Sequence, residues 1–262
     1  MPNVLLTRPR IRSSEQDELH RLLTSVRITV HELPMISFEF PKDLRAVDRA
    51  LTGAAEGAFS SIILSSPTSV HFFAERANEL GILEAIRLHA RFGAVGMATA
   101  KELSRFSIEA GLPVPLHGGA HELAASFQTS ALEGKAVLLL QSQIGLDVLE
   151  HALTEMGAHP VRVTLYHTEG PTLGDAARLL TMLESGPRPD VIAFFSPSAV
   201  QYFVRTLAEM ASGMLRELPA LATIGETTAK AVEEALHRRP EIVARKSDQA
   251  SLAEDIIRYL QL

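Results

Sequence analysis

Hydroxyl-bearing residues and glycines recur in this chain as two matched sets. Ser66-Pro67-Thr68-Ser69-Val70-His71-Phe72-Phe73 is echoed at offset 130 by Ser196-Pro197-Ser198-Ala199-Val200-Gln201-Tyr202-Phe203. Gly96-Met97-Ala98-Thr99-Ala100-Lys101 is echoed at offset 129 by Gly225-Glu226-Thr227-Thr228-Ala229-Lys230. Each motif directly follows an apolar run and opens a stretch with apolar residues at helical spacing. Hydroxyls and open backbone N–H groups at a helix start suit an anion, and the positive end of the helix dipole adds to the attraction. The same residues also serve folding, with Ser66, Thr68, Ser196 and Ser198 as helix caps and Gly96 and Gly225 as tight-turn residues. Capping alone, however, does not require two segments to carry the same motifs at equivalent ends.

Two further groups are positioned to act. Arg8, Arg10 and Arg12 follow the first apolar run, where a guanidinium could meet a carboxylate or simply face solvent. Tyr166 closes the run Pro160–Tyr166 before the turn His167-Thr168-Glu169-Gly170-Pro171, and the residues alone favour reading it as a half-buried strand tyrosine. Other chemistries lack their residues. Gly93-Ala94-Val95-Gly96 does not have the spacing of a dinucleotide fingerprint, and no phosphate-loop sequence ends in Gly-Lys-Ser/Thr. No G-x-S-x-G elbow occurs. His117 and His121 form the one histidine pair at i, i+4 spacing, but Gly118-Gly119 between them disfavours a helix, so no metal is expected. Cysteine is absent, which excludes disulfides and thiolate chemistry. No cofactor is expected.

The elements that must carry these residues alternate along the chain. Asn3–Thr7, Arg27–Leu33, Ser61–Leu64, Phe92–Val95, Lys135–Leu140, Pro160–Tyr166, Asp190–Phe194, Ala220–Ile224 and Glu241–Ala244 read as strands. Between them lie helical stripes such as Val70, Phe73, Ala77 and Leu80, or Val148, Leu149, Ala152, Leu153 and Met156. That alternation predicts an α/β protein with parallel sheets flanked by helices. The matched motifs then sit at strand C-terminal edges, where open α/β sheets bind ligands. A further echo pairs Leu123-Ala124 with Leu252-Ala253 at offset 129, and Val4-Leu5-Leu6 answers Val137-Leu138-Leu139 at offset 133, so two copies of one unit are expected.

At 262 residues, 46% hydrophobic and 21% charged, the chain has the bulk of two ordinary globular domains. Its formal charge of −6 gives no general attraction to nucleic acid, so an anionic ligand needs a local site. Apolar runs fall far short of the roughly 20 residues that span a bilayer, so no membrane partner is expected. The Arg8 and Arg10 charges interrupt any leader-like run, and a cytoplasmic monomer is expected.

In order along the chain, Leu6-Thr7-Arg8-Pro9, Ser65-Ser66-Pro67, Ala94-Val95-Gly96 with Thr99-Ala100, Leu165-Tyr166-His167-Thr168, Phe194-Phe195-Ser196-Pro197-Ser198-Ala199-Val200 and Ile224-Gly225-Glu226-Thr227-Thr228-Ala229 resemble the uroporphyrinogen-III synthase family. No single match is specific, but together they cover nearly the full chain in the family's order. The resemblance implies two similar α/β domains joined by a two-stranded connection, with a ligand cleft between them. It would place residues 1–34 and 168–262 in one domain, 43–160 in the other, and 35–42 and 161–167 in the connections. It implies a cofactor-independent lyase of tetrapyrrole (haem, sirohaem, cobalamin, chlorophyll) biosynthesis that closes hydroxymethylbilane with loss of water and inversion of ring D. It further implies Tyr166 as the group assisting hydroxyl departure, with Arg8, Ser65, Ser66, Thr99, Ser196, Ser198, Thr227 and Thr228 binding the substrate's eight carboxylates.

The chain departs from the family where Gln141, Ser142 and Leu146 stand in place of Arg, Gly and Arg. That departure favours an alternative, a synthase-like binding or regulatory module with impaired catalysis. An unrelated two-domain binder of a small solute is a third reading, one that would normally come with an export signal.

Overall fold

The computed structural model describes residues 1–9, 18–115, 122–123, 132–144 and 147–261. Arg10, Arg12, His117, His121 and Leu146 lie outside the described residues. The chain divides into two compact units, Met1–Ser37 with Glu169–Leu262, and Phe38–Thr168.

The first unit is built on a sheet of β1 (Asn3–Leu6), β2 (Thr29–Glu32), β8 (Val191–Phe194), β9 (Ala220–Thr223) and β10 (Ile242–Val243), in the order β10-β9-β8-β1-β2. Every neighbouring pair is parallel. The second unit is built on β3 (Ser37–Glu39), β4 (Ser61–Leu64), β5 (Arg91–Ala94), β6 (Ala136–Ser142) and β7 (His159–Glu169), in the order β3-β7-β6-β4-β5. Its β4/β5, β4/β6 and β6/β7 pairs are parallel.

The sequence repeat is realised as strand register. Ser61 pairs with Arg91 and Val137, while Val191 pairs with Ala220 and Val4. These equivalent positions stand at the same offsets as the repeated motifs, namely 130, 129 and 133. Both sheets therefore share one arrangement entered at different strands. The second unit runs through the four shared strands in the order β4, β5, β6, β7, whereas the first begins with β1 and β2 and receives β8 and β9 from the distal half of the chain.

Parallel strands covered on both faces are apolar along their whole length rather than alternately. In the second unit Ile62, Leu64, Leu138 and Leu140 pack with Val47 and Leu51 of α2 (Arg45–Ala55), Val70 and Phe73 of α3 (Pro67–Glu79), Ile86 of α4 (Leu83–His89) and Leu103 of α5 (Met97–Arg105). Ile63, Val137 and Leu139 point the other way, onto Leu149 and Leu153 of α6 (Val148–Glu155). In the first unit Val4, Leu6, Val191 and Ala193 pack with Leu19 and Leu23 of α1 (Glu18–Ser25) and with Leu252 and Ile256 of α10 (Gln249–Tyr259). Phe194 turns to the opposite face and meets Phe203 of α8 (Pro197–Ala211) edge-on, with ring centroids 5.1 Å apart. Thr172 caps α7 (Leu173–Glu184), and Gly225 precedes α9 (Glu226–Leu236).

All nine expected strands occur, Ser61–Leu64 with the expected ends and the others with shifted ones. Arg27 has φ 63, which no strand accommodates, so β2 starts at Thr29. β6 extends two residues past Leu140, where Gln141 and Ser142 still pair with Thr164 and Tyr166, and β7 runs three residues past Tyr166. The three-residue β3 escapes sequence patterning, being too short to show a period and lying between Pro34 and Pro41. Gly96 and Gly225 are extended N-cap residues rather than tight-turn residues, at φ −171 and 170. Gly225 answers to space instead, since a Cβ there would lie 2.5 Å from Ser247 Oγ.

Glu241 locks the far edge of the first sheet. Its carboxylate accepts the Leu221 N–H at 2.8 Å and an Arg238 N–H at 2.6 Å, while Arg238 also donates to the Leu218 carbonyl. Burial raises the carboxyl pKa, but those hydrogen bonds outweigh it and hold the group below its usual range. A depressed carboxylate stabilises fully above its unfolded pKa of about 4.3, and that stability is lost as the pH falls through the lower folded value. Glu241→Gln is therefore expected to be less stable at neutral pH and to lose stability less steeply on acidification. Urea midpoints measured from neutral pH down into the acid range would show this, and equal slopes for the two proteins would refute it.

Candidate functional site

At the C-terminal edge of the second sheet, β4 gives way to Ser65 and Ser66. Ser66 is extended, at φ −160 and ψ 162, and its Oγ accepts the Ser69 N–H at 3.0 Å. Ser69 Oγ accepts the Ser66 N–H in return at 3.0 Å, closing a capping box on α3. Proline at the next position supplies a pre-set φ and no N–H to satisfy.

The same Ser66 Oγ lies 3.0 Å from the Tyr166 hydroxyl. Since Ser66 Oγ already accepts from Ser69, its own proton can be donated to the phenol oxygen. Ser142 and Thr68 are nearby hydroxyls that act on the phenol in the same sense. Tyr166 is only 6% exposed, stacked on Phe72 at 5.2 Å and edge-on to Phe38 at 5.5 Å. Burial raises the phenol pKa, and the three hydroxyl contacts oppose it without cancelling it. The ring therefore stays protonated through the neutral range, as a phenol with an O–H to donate.

Ser142 reaches Tyr166 through a register shift. Gln141 pairs with Thr164, but the next residue, Ser142, pairs with Tyr166. Such an irregularity re-aims a side chain at a strand end. Just beyond it, the Gln143 side chain accepts the Thr168 N–H at 2.9 Å and donates to the Thr168 carbonyl at 3.0 Å. The backbone on the far side of Tyr166 is thereby held. Where the resembled family carries Arg-Gly, this chain has Gln141-Ser142, and the serine is a neutral support for the tyrosine.

The equivalent edge of the first unit starts from Thr7. Its N–H and hydroxyl both donate to the Ala193 carbonyl, at 3.1 and 2.8 Å, and its carbonyl accepts the Met35 N–H. Arg8 follows, largely buried, donating to Glu32 at 3.3 Å and lying 5.5 Å over the Phe195 ring. Burial lowers its pKa against the pull of Glu32, yet an arginine so placed keeps its charge at neutral pH. Ser196 Oγ accepts the Ala199 N–H at 3.2 Å, the same capping role as Ser66.

The expected binding residues fall into distinct environments. Ser65, Ser66, Ser196 and Ser198 are half-buried at their strand edges, in the same burial pattern along both copies. Thr68 and Ser198 occupy the second position of their helices rather than the cap. Thr99 and Thr228, equivalent in the repeat, are both buried inside the first turns of α5 and α9, whereas Thr227 is exposed. Ser66 and Tyr166 are brought into contact within the second unit. Sequence reading missed Thr68 and Ser142 as neighbours of Tyr166, and it missed Glu32 as a partner of Arg8. Ser142 carried one signal, its departure from the family pattern. Among the described residues no group of His, Asp and Glu is arranged to hold a metal ion.

Comparison with known proteins agrees with this architecture. The family model described as Uroporphyrinogen-III synthase HemD matches residues 17–254. A protein named uroporphyrinogen-III synthase from Chlorobaculum parvum is 27% identical over 265 residues, covering 100% of both chains. A crystal structure of a mutant uroporphyrinogen III synthase from Thermus thermophilus is similar at TM-score 0.67 and 21% identity, covering 100% of this chain and 99% of that one. The corresponding enzyme structure from Helicobacter pylori 26695 is similar at TM-score 0.62 and 18% identity, over 99% and 100% of the two chains. At these identities the two structures speak for the fold.

Proposed function

This chain belongs to the uroporphyrinogen-III synthase family, and on that premise we propose that it is a lyase that closes hydroxymethylbilane to uroporphyrinogen III. The substrate's hydroxyl leaves as water, the resulting azafulvene cation is attacked through ring D to give a spiro intermediate, and reclosure leaves that ring inverted. Such a cation forms readily, so the protein's task is chiefly to hold the chain of rings in a reactive fold and to control which carbon attacks.

The observation that carries this reading is Tyr166, a neutral phenol at a strand C-terminal edge whose oxygen is hydrogen-bonded to Ser66, with the hydroxyls of Ser142 and Thr68 nearby. If those hydroxyls donate to the phenol oxygen, the tyrosine proton is left to point at a departing hydroxyl. Arg8, Ser65, Ser66, Ser196, Ser198 and Thr227 would receive carboxylates, while the buried Thr99 and Thr228 would act by shaping the helix starts beside them. We propose a cytoplasmic protein, in keeping with its lack of cysteine, and a monomer.

One observation favours a second reading. Tyr166 is nearly buried and its oxygen is already satisfied within its own unit, as expected of a structural tyrosine in a synthase-like binding module. A single experiment separates the two. Freshly made hydroxymethylbilane is incubated with the protein and the oxidised products are separated by isomer. Isomer III is expected in excess, and isomer I alone, the product of spontaneous closure, would overturn the enzymatic reading.

A further inference from the structure

We propose that Met97 and Ile144 are substrate-positioning residues whose exposed apolar side chains take the faces of pyrrole rings. The inference rests on the reaction proposed above and adds an apolar half to a site so far described by its hydroxyls. Met97 is the first residue of α5 and is 54% exposed, and Ile144, two residues beyond β6, is 57% exposed. β5 and β6 are both parallel to β4 and flank it in the sheet. The two residues therefore emerge at the same C-terminal edge, on either side of Ser65 and Ser66. Two strand spacings separate β5 from β6, about 10 Å.

A single exposed apolar side chain is ordinary on a protein surface. Met97 departs from that bland case through its position. The first residue of a helix lies at the positive end of the dipole, where an acidic side chain is favoured. Its counterpart in the repeat, Glu226, meets that preference and lies 3.5 Å from Arg239 Nη2. The second unit forgoes this stabilisation and holds a thioether in solvent instead. Ile144 likewise exposes a β-branched side chain where a connection leaves its strand, a place ordinarily taken by polar residues.

The proposed substrate explains both. Its carboxylates call for hydroxyl and N–H donors, but its four pyrrole rings present flat apolar faces that hydroxyls cannot satisfy. A polarizable thioether packs well against such a ring, and a branched aliphatic side chain buries against the next. Because the contacts are made by ground-state and transition-state rings alike, they act on binding more than on turnover.

The test is steady-state kinetics of the full chain with freshly made hydroxymethylbilane, for wild type, Met97→Gln, Ile144→Ser, Met97→Leu and a control, Leu88→Ser. Leu88 is 83% exposed, but it lies in α4 just ahead of β5, at the opposite edge of the sheet. Met97→Gln and Ile144→Ser are each expected to raise KM about tenfold with kcat nearly kept. Met97→Leu should stay close to wild type, Leu88→Ser should match it, and thermal midpoints should not move. The inference is overturned if either polar variant keeps KM within about twofold of wild type, or if Leu88→Ser raises KM as much. A wild-type protein that yields only isomer I overturns the proposed reaction and this inference with it. Wild-type isomer III together with unchanged variant KM overturns this inference alone.

Discussion

Replacing Tyr166 with phenylalanine is expected to lower kcat about tenfold to a hundredfold, at or below the low end of what a positioned proton donor supplies. The low end applies because the azafulvene cation forms without much assistance. The loss should fall on kcat rather than KM, since the hydroxyl is used as the leaving group departs. Isomer III should remain the enzymatic product, but slower turnover leaves more substrate to close spontaneously, so the share of isomer I should rise. Ser66 loses its hydrogen-bond partner, a stability cost of about 1–3 kcal/mol, while the ring keeps its stacking on Phe72 and its edge contact with Phe38. Because burial holds the phenol pKa above its ordinary value of about 10, Tyr166 should contribute no inflection to the rate profile across the neutral range. An unchanged kcat in a folded Tyr166→Phe protein would remove this residue from the mechanism and favour the binding module.

The second large effect concerns the cores. Phe73 and Phe203 occupy the same position of the repeat, both are fully inaccessible, and each packs on a strand phenylalanine, Phe92 at 5.6 Å and Phe194 at 5.1 Å. Truncation to alanine removes the buried ring and leaves a void that close-packed neighbours fill only partly. Phe73→Ala and Phe203→Ala should each cost about 3–5 kcal/mol, a large share of the stability of an ordinary domain. Urea unfolding measures the loss, and amide exchange locates it. Phe73→Ala should expose the amides of β4, β5 and α3, and Phe203→Ala those of β8 and α8. A loss below about 1 kcal/mol in either would mean that the site collapses around the missing ring.

Much of the architecture was legible because local chemistry and periodicity are written in order along the chain. Continuous apolar runs such as Val137-Leu138-Leu139-Leu140 announce a strand covered on both faces, and Ser66-Pro67 announces a helix start. The repeat went further, since its offsets of 130, 129 and 133 reappear in the pairing of Ser61 and Val191 with their neighbours. Its family motifs, in order along the chain, carry the kind of protein in the sequence itself.

What could not be read were relations between residues distant in sequence. Glu32 meets Arg8 because β1 and β2 are neighbours, and no local pattern records that 24-residue pairing. Ser142 reaches Tyr166 only because the register shifts after Gln141, a property of two strands together. Thr227 and Thr228 are adjacent hydroxyls of the same chemistry, yet one is exposed and the other buried, since the helix start turns successive side chains in different directions. The sequence by itself determined the α/β alternation, the duplicated unit, the family and the supply of hydroxyl donors at the strand edges. Tertiary structure alone decided which of those hydroxyls meets Tyr166, because strand neighbours and register bring together groups that the chain keeps 100 residues apart.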